Sequence, residues 1–321
     1  MTIGRACITG GAGFIGSNLA DRLHAHGSEV VVVDNFRTGR REFLAGLTGS
    51  PRFTLVTGDV RDPAVIGPAV EGCDWVFHLQ ANADVRGGVD HPTLDLELNT
   101  VATSRVLEAA REAGVRRVLI ASTGSVYGEP LQFPTPEDTP FPVQTSLYGA
   151  SKLAGEGLLE AYCTAFGFSG VICRFVSILG ERYTHGHVHD FFRALRSDPT
   201  RLSVLGDGRQ TKSYLYVQDC VSAMLRAAEH DGDAPGTHVY NLGTEEVITV
   251  DESVGIITRH LGVTPVIEHT GGSRGWVGDS PLIHLDTTRI RSLGWRPRLT
   301  IREAIVRTLD WLDSAEGRAS A

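Results

Sequence analysis

The sequence predicts an α/β fold: a doubly wound parallel sheet with a smaller mixed α/β lobe after it. Three observations predict this. A short apolar run, Ala6-Cys7-Ile8, leads into a glycine-rich turn that opens a helical stretch from Phe14 to His26. Short apolar runs and helix-period stretches then alternate to about residue 175, as in a parallel sheet with crossover helices. Beyond residue 175 helices and short strands mix irregularly, and Gly, Pro and charged residues become more frequent.

The turn Thr9-Gly10-Gly11-Ala12-Gly13-Phe14-Ile15-Gly16-Ser17 carries glycines in a G-x-x-G-x-x-G spacing. Strand, glycine turn and helix together make a seat for a dinucleotide pyrophosphate. Helix N-terminal N–H groups attract the anion, and glycines let backbone and phosphate approach closely. A tight turn with no ligand would also use such glycines, so the decision falls to the context. Glu29 to Val33 is a continuous apolar strand ending in Asp34, 18 residues past Gly16. A carboxylate there accepts hydrogen bonds from ribose hydroxyls and repels a 2′-phosphate, which selects NAD over NADP.

A third strand, Phe53 to Thr57, leads to Asp59 and Val60, placed to touch and pack on an adenine. Asp62-Pro63 reads as a helix start, with Asp at the N-cap and Pro at N1. Trp75 to Leu79 is a fourth strand, and His78 reads as a packed strand-end histidine. Pro92 to Ala113 is a long amphipathic helix with Asn99 inside it, either a satisfied core amide or a holder of the catalytic framework. Arg117 to Ala121 and Gly170 to Phe175 are the fifth and sixth strands. Between them lie a loop with five prolines, Pro130 to Pro142, and a helix that opens at Tyr148 and runs to about Phe166. Later helices are expected at Val188–Arg196, Val217–Glu229, Val250–His260 and Thr300–Leu312, and strands at Leu202–Leu205, His238–Asn241 and Pro265–Glu268. The expected division is a Rossmann-type NAD-binding domain over 1–175 and a substrate lobe over 176–321, with some later segments returning to the first domain.

Composition narrows the function. The 321 residues carry a net charge of −8, which gives nucleic-acid binding no electrostatic support. No apolar run approaches the roughly 20 residues of a membrane helix. Met1 stands almost directly before the first strand, leaving no room for a signal peptide. Five scattered cysteines without a Cys-x-x-Cys read as reduced thiols, so a cytoplasmic protein is expected. His185-Gly186-His187-Val188-His189 lacks the spacing of a helix-borne zinc site and reads as loop, so no metal is expected.

The chemistry concentrates at Tyr148 and Lys152. Spaced i, i+4, they share one helix face. A nearby ammonium lowers a phenol's pKa, which would make Tyr148 a general base. Thr123, at the end of the fifth strand, can bond both the reacting oxygen and the tyrosine; Ser122 beside it could equally satisfy backbone.

These stretches, with Val33-Asp34-Asn35, Gly58-Asp59-Val60, Ser122–Gly128, Arg174-Phe175 and Gly206-Asp207-Gly208, span nearly the whole chain in a consistent order. In this the sequence resembles the extended short-chain dehydrogenase/reductase family, in particular its NAD-dependent nucleotide-sugar epimerase/dehydratase group. The resemblance implies catalysis by Thr123, Tyr148 and Lys152. It implies NAD contacts from Gly10, Gly13, Phe14, Ile15, Gly16, Asp34, Asn35, Phe36, Thr38, Gly39, Asp59, Val60, Leu79, Gln80, Ala81, Ala83, Asn99, Tyr148, Lys152 and Val176. Substrate contacts are implied for Arg86, Thr123, Gly124, Ser125, Tyr148, Ser177, Val188, Lys212 and Arg274. Tyr148 would take a proton from a sugar hydroxyl, hydride would leave for NAD, and a 4-keto sugar would take the same hydride back on its other face.

The departures from the family's pattern direct the choice of reaction. Dehydratases of this group carry Asp and Glu where Gly124 and Ser125 stand, and the related decarboxylases need a Glu at Ser125. Epimerisation at C4 of a UDP-hexose or UDP-hexuronic acid is therefore expected. The alternatives are a reductase or a 2-/3-epimerase on a keto- or deoxy-sugar nucleotide, or a non-catalytic nucleotide sensor. Ser177 replaces an Asn of the family pattern, and Lys212 replaces a diphosphate-contacting Arg, which keeps charge but loses bidentate geometry. Arg86 is expected either to meet a sugar carboxylate or to pair with Asp84 or Asp90 on the surface. The family's dimers imply a homodimer through the helices at 92–113 and 146–166.

Overall fold

The structure, a computed structural model, describes residues 3–82, 88, 90–140, 143–275 and 282–319, with side chains to 315. The first part of the chain forms β1 (Arg5–Thr9), α1 (Phe14–Ala25), β2 (Glu29–Asp34), β3 (Phe53–Thr57), α2 (Pro63–Val70) and β4 (Trp75–His78). There follow α3 (Pro92–Asp95), α4 (Ala102–Glu112), β5 (Arg117–Thr123), α5 (Leu147–Phe166) and β6 (Ser169–Phe175). The later part adds β7 (Ser177–Leu179), α6 (His187–Ser197), β8 (Arg201–Val204), β9 (Thr211–Lys212), β10 (Tyr214–Tyr216) and α7 (Val217–Asp231). It closes with β11 (Gly236–Leu242), β12 (Ile248–Thr249), α8 (Val250–Leu261), β13 (Val266–His269), β14 (Leu282–Ile283), α9 (Thr288–Ser292) and α10 (Ile301–Ala319).

The central sheet is parallel throughout, with seven strands among the described residues in the order β11-β6-β5-β4-β1-β2-β3. The chain winds outward from β1 to β3, then restarts at β4 on the other side of β1. That reversal opens a crevice at the carboxyl ends of β1 and β4, where open α/β sheets bind ligands. Alternate side chains of each strand serve opposite faces. Ala6, Ile8, Val30 and Val32 pack with Leu19 and Leu23 of α1 and Val221 and Met224 of α7. Cys7, Val31 and Val33 pack with Ile66 of α2, Val106 and Leu107 of α4 and Leu159 of α5. Burial on both faces explains why these strands read as continuous apolar runs. A third core, with Val188, Phe192, Leu202, Ile257 and Ile305, lies inside the C-terminal lobe.

One departure from the expected elements bears on the site. The helix expected at 92–113 is three pieces, α3, a π-helical turn over Leu96–Val101, and α4. The wide turn contains Asn99, whose amide is fully engaged in the interior, and π-turns inside helices often accompany such functional polar residues. The strand expected at 238–241 is β11, which pairs with β6 at the edge of the central sheet. Short strands such as β9, β12 and β14 escape a periodicity reading because two residues carry no period. Asp62 caps α2 as expected, accepting from Ala64 N at 2.9 Å, with Pro63 at the first helical position. All five cysteines are buried free thiols. Among the described residues no helix is long and apolar enough to cross a membrane.

The turn after β1 is set by crowding. A Cβ at Gly16 would collide with the carbonyl oxygen of Gly10 and lie 2.8 Å from the Gly11 Cα. Gly10 itself has φ +68° and sits against the Gln80 backbone. Gly255, inside α8 and followed by Ile256, has open space where a Cβ would go. Gly16→Ala should therefore destabilise the protein by about 1–3 kcal/mol, while Gly255→Ala should stabilise it by about 0.5–1 kcal/mol. Denaturant unfolding of the two variants measures both signs.

Candidate active site

A cavity of about 380 Å³ runs along the carboxyl ends of β1, β2, β4 and β5 and reaches the C-terminal lobe. At one end it is lined by Gly10, Gly13, Phe14, Ile15 and Gly16 of the glycine turn, and by Asp34, Asn35, Arg37 and Thr38 after β2. Leu79, Gln80, Ala81, Asn82 and Leu98 form its middle. At the other end stand Ser122, Thr123, Gly124, Ser125, Tyr148, Lys152, Val176, Ser177, Ile178, Tyr183, Thr184 and His185. Residues 114 positions apart in the chain, Asp34 and Tyr148, thus border one continuous space.

Asp34 is buried and its carboxylate is built into the turn. One oxygen accepts from Ala12 N at 2.9 Å and the other from Phe36 N at 2.8 Å. Burial pushes this carboxyl up, and the two N–H bonds pull it back. A Cβ at Gly39 would lie 2.8 Å from the same carboxylate, so glycine there keeps the approach to Asp34 open.

The other end holds the chemistry. Ser146 caps α5, accepting from Gly149 N at 3.0 Å, and so starts the helix just before Tyr148. Tyr148 is half-buried, Lys152 is buried, and both face the cavity. The Tyr148 phenol is pushed up to about 12 by burial and by the nearby Asp95, against a hydrogen bond with Thr123. This direction is opposite to the one expected from Lys152, because burial of the phenol dominates. Lys152 is itself pushed down to about 8 by burial, with Glu156 opposing. Thr123 Oγ1 accepts from Ser125 N at 3.1 Å and donates to Ser125 Oγ at 3.2 Å. A Cβ at Gly124 would lie 3.3 Å from Ile283 Cγ2, so a longer acidic side chain has little room there.

Asn99 stands behind the cavity wall. Its side chain accepts from Asn82 N at 2.8 Å and donates to Ser151 Oγ at 2.9 Å and Asp95 Oδ1 at 3.3 Å. It thus ties the end of β4 to the helix that carries Tyr148 and Lys152. His78 is fully engaged between Thr9 Oγ1 (2.7 Å) and Thr103 Oγ1 (3.0 Å), and burial pushes it down to about 3, so it is neutral.

Several expected contact residues lie elsewhere. Asp59 is held by Arg61 at 2.8 and 3.0 Å and, at 3.4 Å, by Asn35. Val60 is buried in the core beneath β2. Phe36, at φ +58°, carries the Arg41 guanidinium 4.1 Å from its ring. Val188 is fully buried in the lobe core. Lys212 is half-buried on β9, and Arg274 is paired with Glu129 in an exposed loop. None of these six side chains borders the cavity. Ala83 and Arg86 lie outside the described residues. Tyr183, Thr184 and His185 do border it, and only the histidine run drew notice in the sequence. Two glycines with positive φ, Gly180 and Gly186, bracket that segment and are the local signal of a shaped loop. His187 bonds Tyr214 Oη (3.0 Å) and Ser253 Oγ (2.8 Å), and burial pushes it down to about 4.

A family model described as "NAD dependent epimerase/dehydratase family" matches residues 6–243. The chain belongs to this family. It is 37% identical to a UDP-glucose 4-epimerase of Mycolicibacterium smegmatis, over 96% of this chain and 98% of the relative. A solved UDP-galactose 4-epimerase superposes with a TM-score of 0.87 at 39% identity, covering 97% of this chain and 99% of the other. MoeE5, solved in complex with UDP-glucuronic acid and NAD, superposes with a TM-score of 0.86 at 30% identity, covering 97% of this chain and all of the other.

The protein is an NAD-dependent enzyme, and the cavity fits that cofactor on its own observations. The turn at Gly10 and Gly16 is a cradle that a Cβ would fill. Asp34 lines the same cavity beside that turn, and the buried Gln80 Oε1 in the middle has no partner among the described residues. Replacing Asp34 with Ser should weaken discrimination against NADP on the order of tenfold, since about 1.4 kcal/mol is typical of one such polar interaction. Titrating purified, cofactor-stripped protein with NAD and NADP checks this.

Proposed function

We propose that this enzyme is an NAD-dependent 4-epimerase of UDP-sugars, acting on a hexose or the corresponding hexuronic acid. The observation that carries the reading is the cavity wall that Tyr148 shares with the end of β5. Thr123, Tyr148 and Lys152 border one end of the cavity, and the adjoining Gly124 and Ser125 supply no carboxyl for elimination of water or loss of CO₂. What remains is reversible oxidation of the substrate. The kinship with the UDP-glucose and UDP-galactose 4-epimerases supports the same substrate class, and the likeness to MoeE5 supports keeping a uronic acid within it.

On this reading Tyr148 Oη takes the proton of the sugar 4-hydroxyl and later returns it. Thr123 Oγ1 holds the same sugar oxygen, and Lys152 supplies positive charge beneath the tyrosine. Bound NAD would supply a reversible hydride acceptor, together with a positive charge that favours the phenolate. The glycine turn, Asp34, Gln80 and Lys152 would hold it. Residues 1–175 provide most of this cofactor site, and the lobe beyond 176 closes the sugar end with Ser177, Tyr183 and His185. The exposed Leu96, Val101 and Leu147 on the helices around α5 support a homodimer, and the five reduced thiols support a cytoplasmic location.

The reading is tested by incubating the purified protein with UDP-glucose, UDP-galactose or UDP-glucuronate without added NAD. Interconversion at C4 of at least one of them is expected. No interconversion, with NAD confirmed on the protein by mass, overturns the reading, and net consumption of NADH with a 4-keto sugar would indicate a reductase. Tyr148→Phe should lower kcat by about 100- to 10,000-fold, the usual range for a lost general base. The pH–rate profile carries a further prediction. Lys152 works as a cation, and its proton is lost as pH rises through about 8, so kcat should fall above that pH.

A further inference from the structure

Glu156 lies one helical turn beyond Lys152 on α5, and both side chains are buried. Its carboxylate is gripped from two strands. Arg174 of β6 donates from Nε to both oxygens, at 3.1 and 3.2 Å, and from Nη2 to Oε2 at 2.7 Å. Ser122, in the cavity wall at the end of β5, donates to Oε1. The same arginine donates from Nη1 to Tyr127 Oη at 2.8 Å and to the Glu137 carbonyl at 3.0 Å. Tyr127 Oη donates to Asn241 Oδ1 at 2.7 Å, and Asn241 Nδ2 donates to the carbonyls of Thr135 (2.9 Å) and Asp286 (3.0 Å). A chain of buried polar contacts therefore runs from beneath Lys152 to the proline-rich segment, to β11 and to the residues before α9.

A buried ammonium keeps its proton only where negative charge faces it. The groups around Lys152 are few. Tyr148 precedes it on α5, the neutral His78 comes from β4, and Asp95 from α3 acts on Tyr148. Arg174 is committed to Glu156. Among the described residues, Glu156 is the carboxylate that acts on Lys152. A bidentate guanidinium fixes a carboxylate in place as well as in charge.

We propose that Glu156 is a positioning residue for Lys152: clamped by Arg174 and Ser122, it fixes a negative charge one turn below the lysine and holds the ammonium charged at the cavity. The proposal rests on the 4-epimerase reading only in giving that ammonium a task.

The sequence makes a direct test practical. The chain has two lysines, Lys152 and Lys212, the other basic side chains being arginine or histidine. Protein labelled with ¹³C at lysine Cε gives two signals, and Lys212→Arg assigns them. In Glu156→Gln the Lys152 titration midpoint should fall by about one pH unit, since a lost opposite charge commonly moves a neighbour by that much. Glu156→Asp should restore most of it. The alkaline limb of kcat should move down with the midpoint while KM changes little. Glu156→Gln leaves Arg174 buried without its partner and so is prone to unfold. Glu156→Gln/Arg174→Met removes both partners and avoids the buried unpaired guanidinium; because a positive charge leaves with the negative one, the midpoint should fall in the same direction by a smaller amount. An unchanged Lys152 midpoint, with only thermal stability lost, overturns the proposal. Failure of the 4-epimerase reading looks different: no turnover by the unaltered protein, with the Lys152 titration still sensitive to Glu156.

Discussion

Parallel strand pairing is the constraint on which everything else here depends. Strands that all run one way end at one edge, and each crossover helix must begin there. The register places Thr9 beside Val33 and His78, Asp34 beside Thr57, and Thr123 beside Phe175. The loops that leave those ends therefore share one rim. The glycine turn, Asp34, Gln80 and Thr123 meet around a single cavity because the sheet allows their loops nowhere else to go.

The cost of this arrangement is desolvation. The rim is covered by the C-terminal lobe, so the groups that meet there lose water. His78 is neutral and wholly satisfied by two threonines. Tyr148 is driven away from the phenolate, and Lys152 toward the free amine. The polar chain through Glu156, Arg174, Tyr127 and Asn241 then acts as scaffold in a low-dielectric region, where satisfied networks are stiff and unsatisfied ones are costly.

Sequence reasoning succeeded where residues lie close along one element. Tyr148 and Lys152 share a helix face by spacing alone, Asp34 is fixed by the length of the first β–α–β unit, and Asp62-Pro63 starts a helix as any such pair would. It did not place side chains whose position depends on loops. Val188 falls in the expected segment, yet a turn of α6 sends its side chain into the lobe core. Lys212 and Arg274 sit in the stretches the family pattern names, but their side chains lie off the cavity. Ile283, on a two-residue strand, borders the cavity with no local signal at all.

The sequence by itself determined the parallel sheet, the glycine turn after β1 and the helix-borne pair, because each is written in short-range spacing and in runs of apolar residues. Only the tertiary structure decided how those pieces behave together. It decided between the two readings of Asn99 by making it the tie between the loop after β4 and α5, and it brought His185 and Tyr183 to the cavity. It also reversed the expected effect on Tyr148, because a pKa reports the water and charge packed around a group from every direction, and most of those neighbours are distant in the chain.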